Sequence, residues 1–161
     1  MTVVAGIDPG LSGAIAILSN GQYEYVCDMP VLKSESGKRY VDAVELASIL
    51  CSWEPDLVVI ENVHAMPKQG VTSTFTFGES FGVIKGVVGA LNYQSYLVSP
   101  KVWKKAAGLI KQDKEASRQL AIDMFGDAPL SRKRDNGRAE ALLIGYYGAP
   151  MMARGPQEFN K

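Results

Sequence analysis

Cysteine and histidine are nearly missing from this 161-residue chain, which has two of the first and one of the second. Cys27 and Cys51 lie in apolar or mixed segments without a partner at metal-ligand spacing, so neither a disulfide framework nor a zinc site is indicated. The lone His64 has no second histidine and no triad arrangement around it, which argues against serine- or cysteine-type nucleophilic catalysis. No apolar run approaches the roughly 18 residues that a membrane span needs, and the first ten residues lack the basic-then-apolar layout of a secretory signal. The expectation is a soluble, cytoplasmic protein without a membrane partner. An excess of one charge is also lacking, because 17 basic and 17 acidic side chains cancel.

The charge is unevenly spread, however. Residues 101–138 hold ten basic side chains (Lys101, Lys104, Lys105, Lys111, Lys114, Arg118, Arg132, Lys133, Arg134 and Arg138) against five acidic ones, leaving this stretch at +5 and the remainder at −5. A solvated helical surface would account for that; so would a face turned toward phosphates.

Length and an apolar content of 47% allow one sizeable core, and one domain over residues 1–150 is expected, with 151–161 as a C-terminal tail. Val3 to Ile7 is an apolar run closed by the turn signal Asp8-Pro9-Gly10. Ala14 to Leu18 is apolar and Gly21 to Val26 alternates, so three hairpin-connected strands are expected. Helical spacing follows over 40–53, then the β-branched run 56–60, typical of a central strand buried on both faces. The Thr-, Ser- and Gly-rich stretch 62–78 reads as an exposed loop, followed by a helix over 79–91, a strand over 93–98 and helices over 101–107, 113–125 and 138–147. Gly78, Gly82, Gly86 and Ala90 recur every four residues, a stripe suited to close packing on the sheet or another helix, or to a dimer face. The order implies an α/β domain, a mixed sheet covered by helices.

Asp8 and Glu61 both end strands. If those strands are neighbours the carboxylates meet, and their repulsion calls for a cation; oxygen ligands on rigid elements suit Mg²⁺. Glu140 stands near the start of a helix apolar nearly all round, so it is drawn toward the interior, where it needs a partner or complements the helix N-terminus. Asp135 lies just upstream in a Gly-containing turn. Two strand acids and two from a helix entrance match the set required for two-metal hydrolysis of a phosphodiester.

Four segments, Gly6-Ile7-Asp8-Pro9-Gly10-Leu11-Ser12-Gly13, Val59-Ile60-Glu61-Asn62-Val63, Ser99-Pro100-Lys101-Val102-Trp103-Lys104 and Arg138-Ala139-Glu140-Ala141-Leu142, resemble in kind and order those of RuvC-like Holliday junction resolvases, phage type. The resemblance implies a ribonuclease H-like fold: three antiparallel strands, then parallel strands, in one five-stranded sheet flanked by helices. It implies catalysis and metal binding at Asp8, Glu61, Asp135 and Glu140, with two Mg²⁺ or Mn²⁺ ions per active site and no nucleotide cofactor. The partners implied are four-way DNA junctions and a second copy of the chain, with the helix of Gly82 and Gly86 as candidate interface. The setting implied is a bacterial host cytoplasm, for a phage or prophage product. Lys101, Lys104, Lys105, Lys114 and Arg138 would contact DNA and His64 would stack on a base, while Phe75 and Phe77 would pack under the loop. Two departures stand out. The family commonly has aspartate where this chain has Glu140, and an acid or histidine where it has Gly137; Asp135 is the residue available to serve instead.

Other classes give different expectations. A flap or general branched-DNA nuclease would use the same acids, and a non-catalytic DNA-binding module would bind regardless of Mg²⁺. An actin-like phosphate-binding domain would need a second such domain to clamp a nucleotide.

Overall fold

The computed structural model describes residues 1–152. Strands β1 (Val3–Asp8), β2 (Ala14–Ser19) and β3 (Gln22–Asp28) form the expected antiparallel meander. Parallel strands β6 (Leu57–Glu61) and β7 (Ser95–Val98) extend the sheet on the far side of β1, in the order β3-β2-β1-β6-β7. The mixed five-stranded sheet expected from the sequence is therefore present.

Why these strands are so apolar is visible in the two cores. Val4, Ala14, Ala16, Leu18, Leu57 and Val59 pack on one face beneath α5 (Asn136–Met152), with α3 (Pro100–Ala106) and α4 (Lys114–Met124) beside it. Ala5, Ile7, Ile15, Ile17, Val58 and Ile60 face the other way, onto α1 (Ala43–Trp53) and α2 (Val71–Ala90). Alternation along each strand thus feeds two apolar layers, leaving no polar face on β1, β2 or β6. The closest approach is between β1 and α5. A Cβ at Gly6 would lie 2.2 Å from the Ala141 carbonyl oxygen and 2.6 Å from the Gly145 nitrogen, so only glycine lets this helix settle on this strand.

Three boundaries differ from expectation. Helix α2 begins at Val71, so the 62–78 stretch is loop only as far as Gly70. Thr and Ser disfavour helix locally, but burial of Ser80, Ile84 and Val88 anchors the element and outweighs that preference. A small hairpin, β4 (Val31–Lys33) with β5 (Arg39–Val41), lies between β3 and α1 and was not expected from the sequence. Helix α5 runs through Met152, two residues into the segment read as tail, while 153–161 fall outside the described residues. Capping follows local chemistry: the side chains of Asp42, Ser99 and Asp113 accept backbone N–H bonds at the starts of α1, α3 and α4.

No helix among the described residues is long and apolar enough to cross a membrane.

Candidate active site

Strand register brings the first two acids together. β1 and β6 pair in parallel with Ile7 opposite Ile60, so Asp8 and Glu61 are the next residues on adjacent strands. Glu140 comes from the first turns of α5, one residue before the Ala141 carbonyl that rests on Gly6. The three acids line one cleft of about 550 Å³ together with the β1–β2 turn (Pro9 to Gly13), Lys114, and Thr72, Ser73, Thr76, Phe77 and Ser80 of α2. Gly10, at φ +112°, gives the turn its shape, and the Phe77 ring lies over it where a Cβ would stand 2.9 Å away.

The electrostatics are those of an under-neutralised acidic site. Burial, then the charges of Glu140 and Glu61, push the Asp8 carboxyl well above the usual carboxylate range, against the weaker pull of Lys114 and Lys104. Burial raises Glu61 as well, offset by a hydrogen bond that the Trp103 indole N–H donates to Glu61 Oε2 at 2.6 Å. Trp103 is fully buried, and its N–H needs an acceptor. Lys104 Nζ lies 3.8 Å from Glu140 Oε1 and 5.2 Å from the Trp103 ring.

A hard dication suits this donor set, since carboxylate oxygens raised by mutual repulsion are what it would relieve. Among the described residues no three His, Cys, Asp or Glu side chains already stand as one chelating group. Trp103 fixes one oxygen of Glu61, and Lys104 faces one oxygen of Glu140.

Asp135 does not join the trio. Its carboxylate is 1% exposed and fully engaged: Oδ2 accepts the Arg132 backbone N–H at 2.8 Å, and Oδ1 accepts Nε and Nη2 of the Arg132 side chain at 2.9 and 2.6 Å. These bonds hold its pKa below the ordinary value despite burial. Asp135 clamps the 3₁₀ turn Lys133–Asp135 that leads into α5, and the position offers no free oxygen pair to a metal. Asp135→Ala should therefore lower stability by about 1.5–3 kcal/mol, the cost of charge-assisted hydrogen bonds, without changing the Mg²⁺ concentration at which any cleavage half-saturates. Thermal melting and a Mg²⁺ titration check both halves.

The remaining residues divide. Lys114 lines the cleft and Lys104 borders it. Lys101 and Lys105 are exposed on α3. Arg138 is paired, giving Nε and Nη2 to the two oxygens of Asp28 at 2.7 and 3.0 Å, and it does not line the acidic cleft. His64 is exposed in the 62–70 segment, outside the cleft lining. Phe75, expected to pack beneath a loop, sits on α2 and is 69% exposed; Phe77 is half-buried in the cleft wall. Trp103 and the hydroxyls of α2 were missed by the sequence reading. A tryptophan between two lysines in a short motif was the available signal for the first; Thr72, Ser73 and Thr76 were taken for loop residues, and Ser80 for an ordinary helix residue.

A titration follows from the raised Asp8 carboxyl. A carboxyl whose folded pKa exceeds its unfolded value keeps its proton longer in the folded state, so the metal-free protein loses stability as pH rises from the unfolded pKa through the folded one. Asp8→Asn should accordingly melt higher than the parent at pH 7 in EDTA, lose that advantage near pH 4, and lose it again when Mg²⁺ is added to the parent. Melting curves across pH 4–8 decide this.

No protein-family model and no curated protein matches the sequence. Solved structures do. RuvC of T. thermophilus in complex with a Holliday junction substrate superposes with a TM-score of 0.69 at 18% identity, over 96% of this chain and 97% of that one. A second Thermus thermophilus RuvC structure gives 0.58 at 17%, over 94% and 97%. The chain has the RuvC fold. Identity this low makes the likeness one of architecture, a mixed five-stranded sheet flanked by helices. Within that architecture Gly137 gains a physical reason. A Cβ there would lie 2.6 Å from the Ser12 carbonyl oxygen and 3.3 Å from the Gly13 carbonyl carbon, so the position where the family resemblance leads one to expect an acid has no room for a side chain.

Proposed function

We propose that this chain is a metal-dependent endodeoxyribonuclease that binds four-way DNA junctions as a homodimer and resolves them by paired nicks. The observation that carries the reading is the convergence of Asp8, Glu61 and Glu140 in one cleft of a RuvC fold, with Lys104 and Lys114 at its edge. Asp8, Glu61 and Glu140 would hold Mg²⁺ or Mn²⁺, two ions per site, which would activate the attacking water and stabilise the leaving 3′-oxygen. The chain's own part is placement. β1 and β6 set two carboxylates side by side, Trp103 orients one of them, and Lys104 and Lys114 offer charge to the phosphate.

The outer face of α2 supports the dimer. Val71 and Phe75 are exposed, and a Cβ at Gly78, Gly82, Gly86 or Gly89 would meet nothing within 4 Å. Among the described residues nothing stands within 4 Å of a Cβ at those four glycines, so the stripe does not make the close packing on the sheet or on another helix that was one of its two expected uses. A two-fold axis there would relate two active sites, as two symmetric cuts require.

An immobile junction, a flap and a linear duplex, each incubated with Mg²⁺ and with EDTA, test the reading. Paired symmetric nicks confined to the junction and requiring Mg²⁺ are expected. Equal cutting of the flap would make this a broader branched-DNA nuclease; tight binding without cutting would make it a binding module.

A further inference from the structure

The β1–β2 turn is a ridge with a cleft on each side. Leu11, Ser12 and Gly13 line the acidic cleft, and the same three residues line a second, polar groove of about 470 Å³ completed by Asp28, Met29, Val31, Arg39 and Arg134. The charge in that groove is not what its composition suggests. Its one carboxylate, Asp28, is neutralised by Arg138 through two hydrogen bonds, and the nearby Asp135 is taken by Arg132. Arg39 and Arg134 are left without an ion-pair partner among the described residues. Two uncompensated guanidinium groups therefore face a polar groove one turn away from the acids.

Both are mounted on restrained backbone. Arg39 lies on β5, whose hairpin is joined to α2 by Lys38–Glu79 at 3.0 Å and to the β1–β2 turn by Arg39 itself, which donates to the Leu11 carbonyl at 3.4 Å. The hairpin base is held by Asp42 N–H on the Pro30 carbonyl and by Met29 N–H on the Gly13 carbonyl, each at 2.9 Å. Arg134 belongs to the 3₁₀ turn clamped by Arg132 and Asp135. The backbone at both positions is thus fixed beside the groove, and the planar guanidinium fork matches phosphate oxygens.

We propose that the groove between the β4–β5 hairpin and the 133–135 turn is a phosphate-binding track for the cut DNA strand. A strand whose scissile phosphate lies at Asp8, Glu61 and Glu140 crosses the Leu11–Gly13 ridge and places its neighbouring phosphates between Arg39 and Arg134. This rests on the nuclease reading above and adds to it a site on the side of the turn opposite Lys104 and Lys114. It also gives Asp28, Arg132, Asp135 and Arg138 a common effect: by pairing among themselves they keep carboxylate charge away from the track.

The test is junction binding in EDTA as a function of salt, with neutral methylphosphonates replacing single phosphates within three nucleotides of the cut. The parent should lose affinity at one or two of those positions on one side of the cut. Arg39→Ala with Arg134→Ala should bind the unmodified junction about 10- to 100-fold more weakly, with a salt slope shallower by about two, and should show no further loss at those methylphosphonates. Arg134→Ala alone, which removes no ion pair, guards against a folding artefact, and melting curves accompany each variant. Unchanged affinity and slope in both variants, with the parent binding the junction, would overturn the track. A parent that binds no junction at all would sink the nuclease reading itself, and the track with it.

Discussion

Asp8→Asn reduces junction cleavage by at least about 10³-fold while junction binding stays level or tightens. The first half follows from its place in the cleft: Asp8 is the acid most strongly pushed upward, by burial and by both other carboxylates, so its negative charge is what a cation there would chiefly compensate. Losing a few kcal/mol of metal-borne stabilisation in the transition state costs about three powers of ten. The second half follows because the substitution removes repulsion toward phosphates and touches none of the basic side chains. Glu61→Gln should behave similarly, with an added effect on geometry, because the amide can turn its NH₂ toward the Trp103 donor and lose the 2.6 Å hydrogen bond. Single-turnover cleavage with a parallel binding titration separates the two halves. A variant that cuts like the parent would remove Asp8 from the site.

Gly137→Asp destroys activity, although by family resemblance it supplies the missing acid. The new Cβ would meet the Ser12 carbonyl oxygen at 2.6 Å and the Gly13 Cα at 3.4 Å, and these are backbone atoms of the turn that follows Asp8. Either α5, which carries Glu140, lifts, or the turn that directly follows Asp8 moves. Overpacking commonly costs about 1–3 kcal/mol even against side chains that can yield; here no flexible side chain yields. Gly137→Ala should lose most of the same stability, which attributes the effect to space rather than charge. Melting temperatures of both variants and cleavage by the folded fraction check this. A Gly137→Asp protein that melts like the parent and cuts faster would mean that α5 and the turn are farther apart than described.

Much of this was legible in the chain itself. Apolar and β-branched runs announce β1, β2 and β6 because these strands are buried on both faces, and alternation announces β3 because one of its faces stays exposed; burial is what hydrophobic pattern reports. Asp8 and Glu61 stood out because each ends such a run, and Glu140 because its helix is apolar all round. What stayed hidden depends on tertiary partners. The first two turns of α2 are rich in Thr, Ser and Gly and largely exposed, without a buried stripe to announce a helix; the buried anchors Ser80, Ile84 and Val88 come further along. The β4–β5 hairpin is three residues to a strand and largely exposed, too short for a pattern. Asp135 drew attention as an acid in the right neighbourhood, yet a carboxylate's role is decided by what holds it, and Arg132 holds this one by three hydrogen bonds. Arg138 was similarly claimed by Asp28, 110 residues away in sequence.

The most direct test of the central claim is anomalous scattering from a crystal of the protein soaked in Mn²⁺. Manganese is expected in contact with Asp8, Glu61 and Glu140, and none at Asp135. Manganese bound at Asp135, or no manganese in the cleft at concentrations that support cleavage, would contradict it.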